Sequence, residues 1–148
     1  MPDPSPRPSV LVLNGPNLNR LGAREPGVYG TATLADLEAD LRRQFPELAL
    51  RFAQHNAEGD LIDALHGAAS DGTAGVVFNP GGYAHTSVAL RDAVASIPTP
   101  VVEVHLSNVY AREGFRHVSL VSAVCAGVIT GFGPAGYALA VRHFAGAA

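Results

Sequence analysis

Apolar positions along the chain fall into two kinds of pattern that alternate. Short, mainly apolar runs occur at Val10-Leu11-Val12-Leu13, Leu48 to Phe52, Gly75-Val76-Val77-Phe78, Val101-Val102-Glu103-Val104 and Gly127-Val128-Ile129-Thr130. They are too short for helices and mostly rich in β-branched residues, so each predicts a strand. Between them apolar residues recur at helical spacing. Thr33 to Gln44 aligns Leu34, Leu37 and Leu41 with Phe45, opens on a Thr33-x-x-Asp36 capping box and stops before Pro46. Glu58 to Ala69 aligns Leu61, Ile62, Leu65 and Ala68 and ends at Asp71-Gly72. Val88 to Ile97 is closed by Pro98 and Pro100, and Pro134 suits the first turn of a final helix, Ala135 to Phe144.

Strands that are apolar on both faces and alternate with amphipathic helices indicate a parallel sheet covered on both sides. Five of them suit an α/β, flavodoxin-like doubly wound fold, with a five-stranded parallel sheet in the order 2-1-3-4-5. A single domain is expected over residues 10–148, behind a Pro-rich, disordered tail, residues 1–9. Ligands bind such sheets beyond the carboxyl ends of the strands. Polar residues collect there: Asn14 to Tyr29 after the first strand, Gln54-His55-Asn56 after the second, Asn79 to His85 after the third and His105 to Ser107 after the fourth.

Composition narrows the chemistry. With 148 residues and 47% hydrophobic content the chain can fill one core. A formal charge of −3 offers no basic field to nucleic acid or to an anionic membrane, so neither is expected as a partner. No apolar run approaches the ~20 residues of a membrane span, and no secretory h-region opens the chain, so a cytoplasmic location is expected. Cys125, the one cysteine, lies in Ala-Val-Cys-Ala-Gly and reads as a packing residue. All ten basic residues are arginine. Without lysine, imine chemistry on a carbonyl substrate is impossible, and any carbonyl chemistry must run through an enol or enolate.

The loop NGPNLNRLGAREPGVYG, Asn14 to Gly30, is the most chemically loaded stretch. A phenol loses its proton near pH ~10 in water, so Tyr29 can act as a base at neutral pH only beside a cation that favours its phenolate. Arg24 is the first candidate for that cation. His85 and His105 each follow a central strand, and Asn79, Ser107, Arg112 and Arg116 gather at the same rim. Neutral donors and acceptors with two guanidiniums describe a pocket for a small polyhydroxylated acid.

Other chemistries fit less well. Gly131-Phe-Gly133-Pro-Ala-Gly136 matches a dinucleotide glycine fingerprint, but no βαβ unit can follow it and no Asp or Glu occurs after Glu113. The six histidines have no metal-ligand spacing, so no metal is expected, and no Gly-x-Ser-x-Gly elbow is present.

Three motifs, LNGPNLNRLGAREPGVYG, FNPGGYAHTSVALRDA and VEVHLSNVYAREGFR, in that order and spacing, make the chain from Val10 to His143 resemble the type II 3-dehydroquinate dehydratases of the shikimate pathway. The resemblance implies a lyase that needs no cofactor and removes water from 3-dehydroquinate by anti elimination through an enolate. It matches Tyr29 to the phenolate base, Arg24 to the lid arginine that supports it and Arg112 to a second arginine nearby. Asn17 matches the residue that steadies the enolate oxygen through a water, and His105 the general acid, oriented by Glu103. Asn79, His85, Leu106, Ser107 and Arg116 match substrate ligands, and Asp92 a residue lent by a neighbouring subunit. The family's assembly, a dodecamer built of trimers, is implied as well. Gly114, Val118 and Leu120 depart from the family's usual residues. Two other readings stand beside this one: a non-catalytic flavodoxin-like module for a nucleotide or flavin, and a lyase acting on a related hydroxy acid.

Overall fold

Five parallel strands form one sheet in the computed structural model of the chain, which describes residues 6–23 and 25–147. β1 (Ser9–Asn14), β2 (Ala49–Gln54), β3 (Gly75–Asn79), β4 (Val101–His105) and β5 (Gly127–Thr130) lie in the order β2-β1-β3-β4-β5. This is the flavodoxin-like order predicted from the sequence. The helices are α1 (Pro26–Tyr29), α2 (Leu34–Gln44), α3 (Glu58–Ser70), α4 (Val88–Ser96) and α5 (Ala135–Ala147). Of these α-helices, α1, a single turn with Pro26 at its start, falls inside a stretch read as loop. Among the described residues no helix is long and apolar enough to cross a membrane.

Local chemistry sets the helix ends. Thr33 and Asp36 form the reciprocal capping box, with the Thr33 hydroxyl accepting from the Asp36 N–H at 3.1 Å and the Asp36 carboxylate from the Thr33 N–H at 3.0 Å. Ser87 caps α4 by accepting from the Leu90 N–H at 2.9 Å. Pro8 and Ser9 are tied to the sheet. The Pro8 carbonyl accepts from the Ala49 N–H at 2.8 Å, and β1 starts at Ser9.

Side-chain alternation along the strands makes two cores. Val10, Val12, Val77, Val102 and Val104 face α2 and α5, where they meet Leu37, Leu41, Tyr137, Val141 and Phe144. Leu11, Leu13, Val76, Phe78 and Val101 face α3 and α4, where they meet Leu61, Leu65, Leu90 and Val94. Each fully buried leucine contributes about 1.5–3 kcal/mol, so both layers hold the sheet firmly from either side.

Polarity appears where the strands end. Asn14, Gln54 and Asn79 are aligned across β2, β1 and β3 by register. Asn14 and Asn79 belong to the same alternation as Val12 and Val77, so they are the last inward residues on the α5 side. Between the two loops Gly15 is pressed against β3: its N–H donates to the Asn79 carbonyl at 2.7 Å. A Cβ there would sit 2.6 Å from the Pro80 carbonyl oxygen, a backbone atom that cannot swing aside. Gly15→Ala is therefore expected to destabilise the chain by about 1–3 kcal/mol through overpacking, read as a lower Tm in thermal unfolding; an unchanged Tm would show that the two loops separate freely.

Candidate active site

A cleft opens at the carboxyl ends of β3 and β4. Tyr29, Asn79, His85, His105, Leu106, Ser107, Arg112 and Arg116 line it with Leu18, Val109 and the glycines 81 and 82. Eight of the residues singled out in the sequence thus meet in one place, although they come from four separate stretches. The chain reaches this arrangement because β1 and β3 are neighbours whose following segments leave in different directions, which opens a crevice at the switch point.

One side of the cleft carries the phenol. Tyr29 ends α1 and is half buried against the α2–α5 core. Arg112, only 12% exposed, donates from Nη1 to the Tyr29 hydroxyl oxygen and also lies over the ring, with Cζ 5.2 Å from its centroid. A guanidinium can only donate, so the phenol oxygen accepts from a full positive charge. Such a bond stabilises negative charge on that oxygen. Arg112 is itself held by Glu25, 3.4 Å from Nη2, and by Glu113, 3.8 Å from Nε. Arg24, the first candidate for the cation beside Tyr29, lies outside the described residues.

The imidazole side is built on β4. Glu103 and His105 are two residues apart on a strand, so both point to the same face. Glu103 is fully buried and accepts from His105 Nε2, from Ser122 Oγ at 2.6 Å and from Ser119 Oγ at 3.0 Å. Burial pushes its carboxyl up, but the His105 and Ser122 hydrogen bonds, the His105 charge and Ser119 outweigh it and hold the group below the ordinary carboxylate range. Because a carboxylate accepts, Nε2 of His105 carries hydrogen, and Nδ1 is the ring nitrogen left for proton exchange. His85 stacks beside it, centroids 6.2 Å apart at 19°, and donates from Nδ1 to the Val118 carbonyl at 2.8 Å. The departures at Val118 and Leu120 leave this wall intact, since both positions act through backbone: the Leu120 N–H donates to the Ala84 carbonyl at 2.7 Å.

Arg116, 18% exposed, is steadied by Glu113 at 2.6 Å and by the Phe115 ring, 4.9 Å from its Cζ. Asn17 is exposed, with a left-handed backbone at φ 69°, and lines an adjoining hollow with Gly82, Tyr83, Thr86 and Arg116. Its N–H donates to the Asn56 side chain at 3.0 Å. Asp92 is exposed on α4, paired with Arg91 at 2.9 Å, and is not among the residues lining this chain's cleft. Cys125 packs half buried beside the α3–α4 core, and its thiol is pushed up to about 12 by burial and then by the Glu103 charge. Among the described residues no three His, Cys, Asp or Glu side chains gather as metal ligands. Ser119, Ser122 and Tyr137 are polar residues beside the site that sequence reading passes over, and Asn14 is read there only as the first residue of the loaded loop. Only the buried Glu103, which demands donors, hints at the two serines.

The family model described as dehydroquinase class II matches residues 8–145. A 3-dehydroquinate dehydratase of Bacillus pumilus is 62% identical over 139 residues, covering 92% of this chain and 93% of its own. The crystal structure of a type II dehydroquinase from Butyrivibrio crossotus superposes with a TM-score of 0.91 at 42% identity, covering 94% of this chain and 98% of that one. A type II dehydroquinase from Propionibacterium acnes gives 0.89 at 45% identity, covering 93% and 96%.

Glu103 gives the fold a signature in acid. Its folded carboxyl titrates below the ordinary 4.5, so its contribution is fully present above that value and is lost as pH falls through the lower folded one. In thermal unfolding, Glu103→Gln is expected to melt below the unmodified chain at about pH 7, and the gap is expected to shrink as pH falls below about 4.5. A gap that stays constant with pH would show that the buried carboxyl is not the titrating group.

Proposed function

The chain belongs to the class II dehydroquinase family, and from that premise we propose that it is a hydro-lyase that converts 3-dehydroquinate to 3-dehydroshikimate. The observation that carries the reading is that a phenol bonded to a guanidinium and an imidazole bonded to a buried carboxylate line one cleft.

Removing water β to a ketone needs a base for a weakly acidic C–H, a group to hold the enolate and an acid for the departing hydroxide. Tyr29 as phenolate takes the proton from the carbon α to the ketone, and the electron pair moves onto the ketone oxygen as an enolate. Arg112 favours the charged form of the base, and Arg24 adds to it. Asn17 steadies the enolate oxygen through a water. As the enolate collapses, the carbon–carbon double bond forms, the carbon–oxygen bond breaks on the opposite face, and His105 gives its proton so that the hydroxyl leaves as water. Glu103 orients the imidazole and balances its positive form. The proton left on Tyr29 returns to His105 through solvent, which completes the cycle.

Binding follows from the rest of the rim. The Arg116 guanidinium and the backbone at Leu106 and Ser107 suit the substrate carboxylate, while Asn79 and His85 suit its hydroxyls. Asp92 reaches the cleft of a neighbouring copy, in a dodecamer built of trimers. The enzyme works in the cytoplasm, within the shikimate pathway, with no cofactor.

Incubation with 3-dehydroquinate is expected to raise ultraviolet absorbance as the conjugated enone forms; no change at high enzyme concentration would overturn the reading. Tyr29→Phe should lower kcat by roughly 10²–10⁴-fold, the usual scale of general base catalysis, with KM nearly unchanged. Turnover close to that of the unmodified chain would remove Tyr29 as the base.

A further inference from the structure

Behind the cleft lies a chain of hydrogen bonds whose direction is fixed at one end. The Gly81 N–H donates to Asn79 Oδ1 at 3.0 Å. A backbone N–H cannot accept, so the other end of that amide must be the NH₂ group. It donates to the Tyr137 hydroxyl oxygen at 2.8 Å. The tyrosine proton is thereby directed onward, to Asn14 Oδ1 at 2.6 Å. Every bond in the series follows from the first.

The architecture explains why these three side chains meet. Asn14 and Asn79 are register partners at the tips of β1 and β3 and share the face that α5 covers. On α5, Phe144 lies against Gly75 at the start of β3, and Tyr137, two helical turns earlier, reaches the strand's end. Tyr137 is fully buried, and burial, only partly offset by the Asn79 bond, holds its hydroxyl protonated well above the ordinary range. It therefore keeps one proton to give and a lone pair to receive.

Asn79 is 97% buried on its strand but lines the cleft. Its Oδ1 is taken by Gly81 and one Nδ2 hydrogen by Tyr137, and among the described residues nothing accepts the second hydrogen. We propose that Tyr137 is a positioning residue for catalysis: its hydroxyl holds Asn79 so that the cleft is offered an amide N–H, committing that point to a substrate oxygen that accepts. The inference rests on Asn79 being a substrate ligand. Since this contact is made before and during the reaction alike, losing its alignment weakens binding more than turnover.

The test is a double-mutant cycle on the full chain with 3-dehydroquinate. Tyr137→Phe keeps the ring and removes only the hydroxyl. It is expected to raise KM about three- to tenfold, the scale of one lost hydrogen bond, with kcat within about twofold. In an Asn79→Ala background the same change is expected to leave KM unaltered, because the residue it acts through is gone. A purely structural role would instead lower Tm equally in both backgrounds and leave KM alone, which would overturn the proposal, as would an equal rise in KM in both. Should Asn79→Ala by itself leave KM unchanged, the reading of Asn79 as a ligand falls and this inference with it; no turnover by the unmodified chain would end the functional reading first. If Tyr137→Phe fails to fold, Asn14→Leu removes the acceptor at the far end and carries the same comparison: KM raised with Asn79 present and unaltered without it, or the proposal fails.

Discussion

A carboxylate cut off from water is the demand around which the upper part of this molecule is arranged. Removing an ion from solvent costs several kcal/mol unless its lone pairs are met, and Glu103 sits in a strand whose neighbours are valines. The loop from Ser119 to Ser122 folds back over β4 and supplies two hydroxyls, and the imidazole two residues further along the same strand supplies the third donor. Once those bonds are in place, the histidine ring has a fixed plane and a fixed tautomer, and His85 can stack beside it. The His105 imidazole is thus oriented as a by-product of solving a solvation problem beneath it.

Strand parity decides which side chains take part. On β4 the odd positions carry Glu103 and His105 toward one core, while Val102 and Val104 face the other. On β1 and β3 the opposite face supplies Asn14 and Asn79. The cleft consequently draws on both faces of the sheet at its carboxyl edge, the one place where a sheet covered on each side can show polar groups without breaking its core.

Much of this was legible in the residues. Strand runs, helix spacing and the Thr33–Asp36 cap are local signals, and the structure keeps them within three residues. The rim residues were legible because strand-end chemistry and fold order together say where they must meet. What escaped was long-range. Ser119 and Ser122 meet Glu103 across 16 and 19 positions, and Tyr137 meets Asn14 across 123. Nothing in a serine within a small apolar stretch, or a tyrosine on an amphipathic helix, marks it as a partner for a particular strand tip. The turn at Pro26–Tyr29 was hidden for a different reason: four residues cannot show periodicity, although Pro26 and Gly30 stand where a helix would start and stop.

Arg112 joins two things that are usually separate. It touches the phenol oxygen and Glu25, both on the segment before α2, while belonging itself to the connection between β4 and β5. The same guanidinium therefore ties that segment down and holds the Tyr29 hydroxyl in place. One side chain thereby couples two loops: parting the segment before α2 from the β4–β5 connection and breaking the Arg112–Tyr29 bond are the same event.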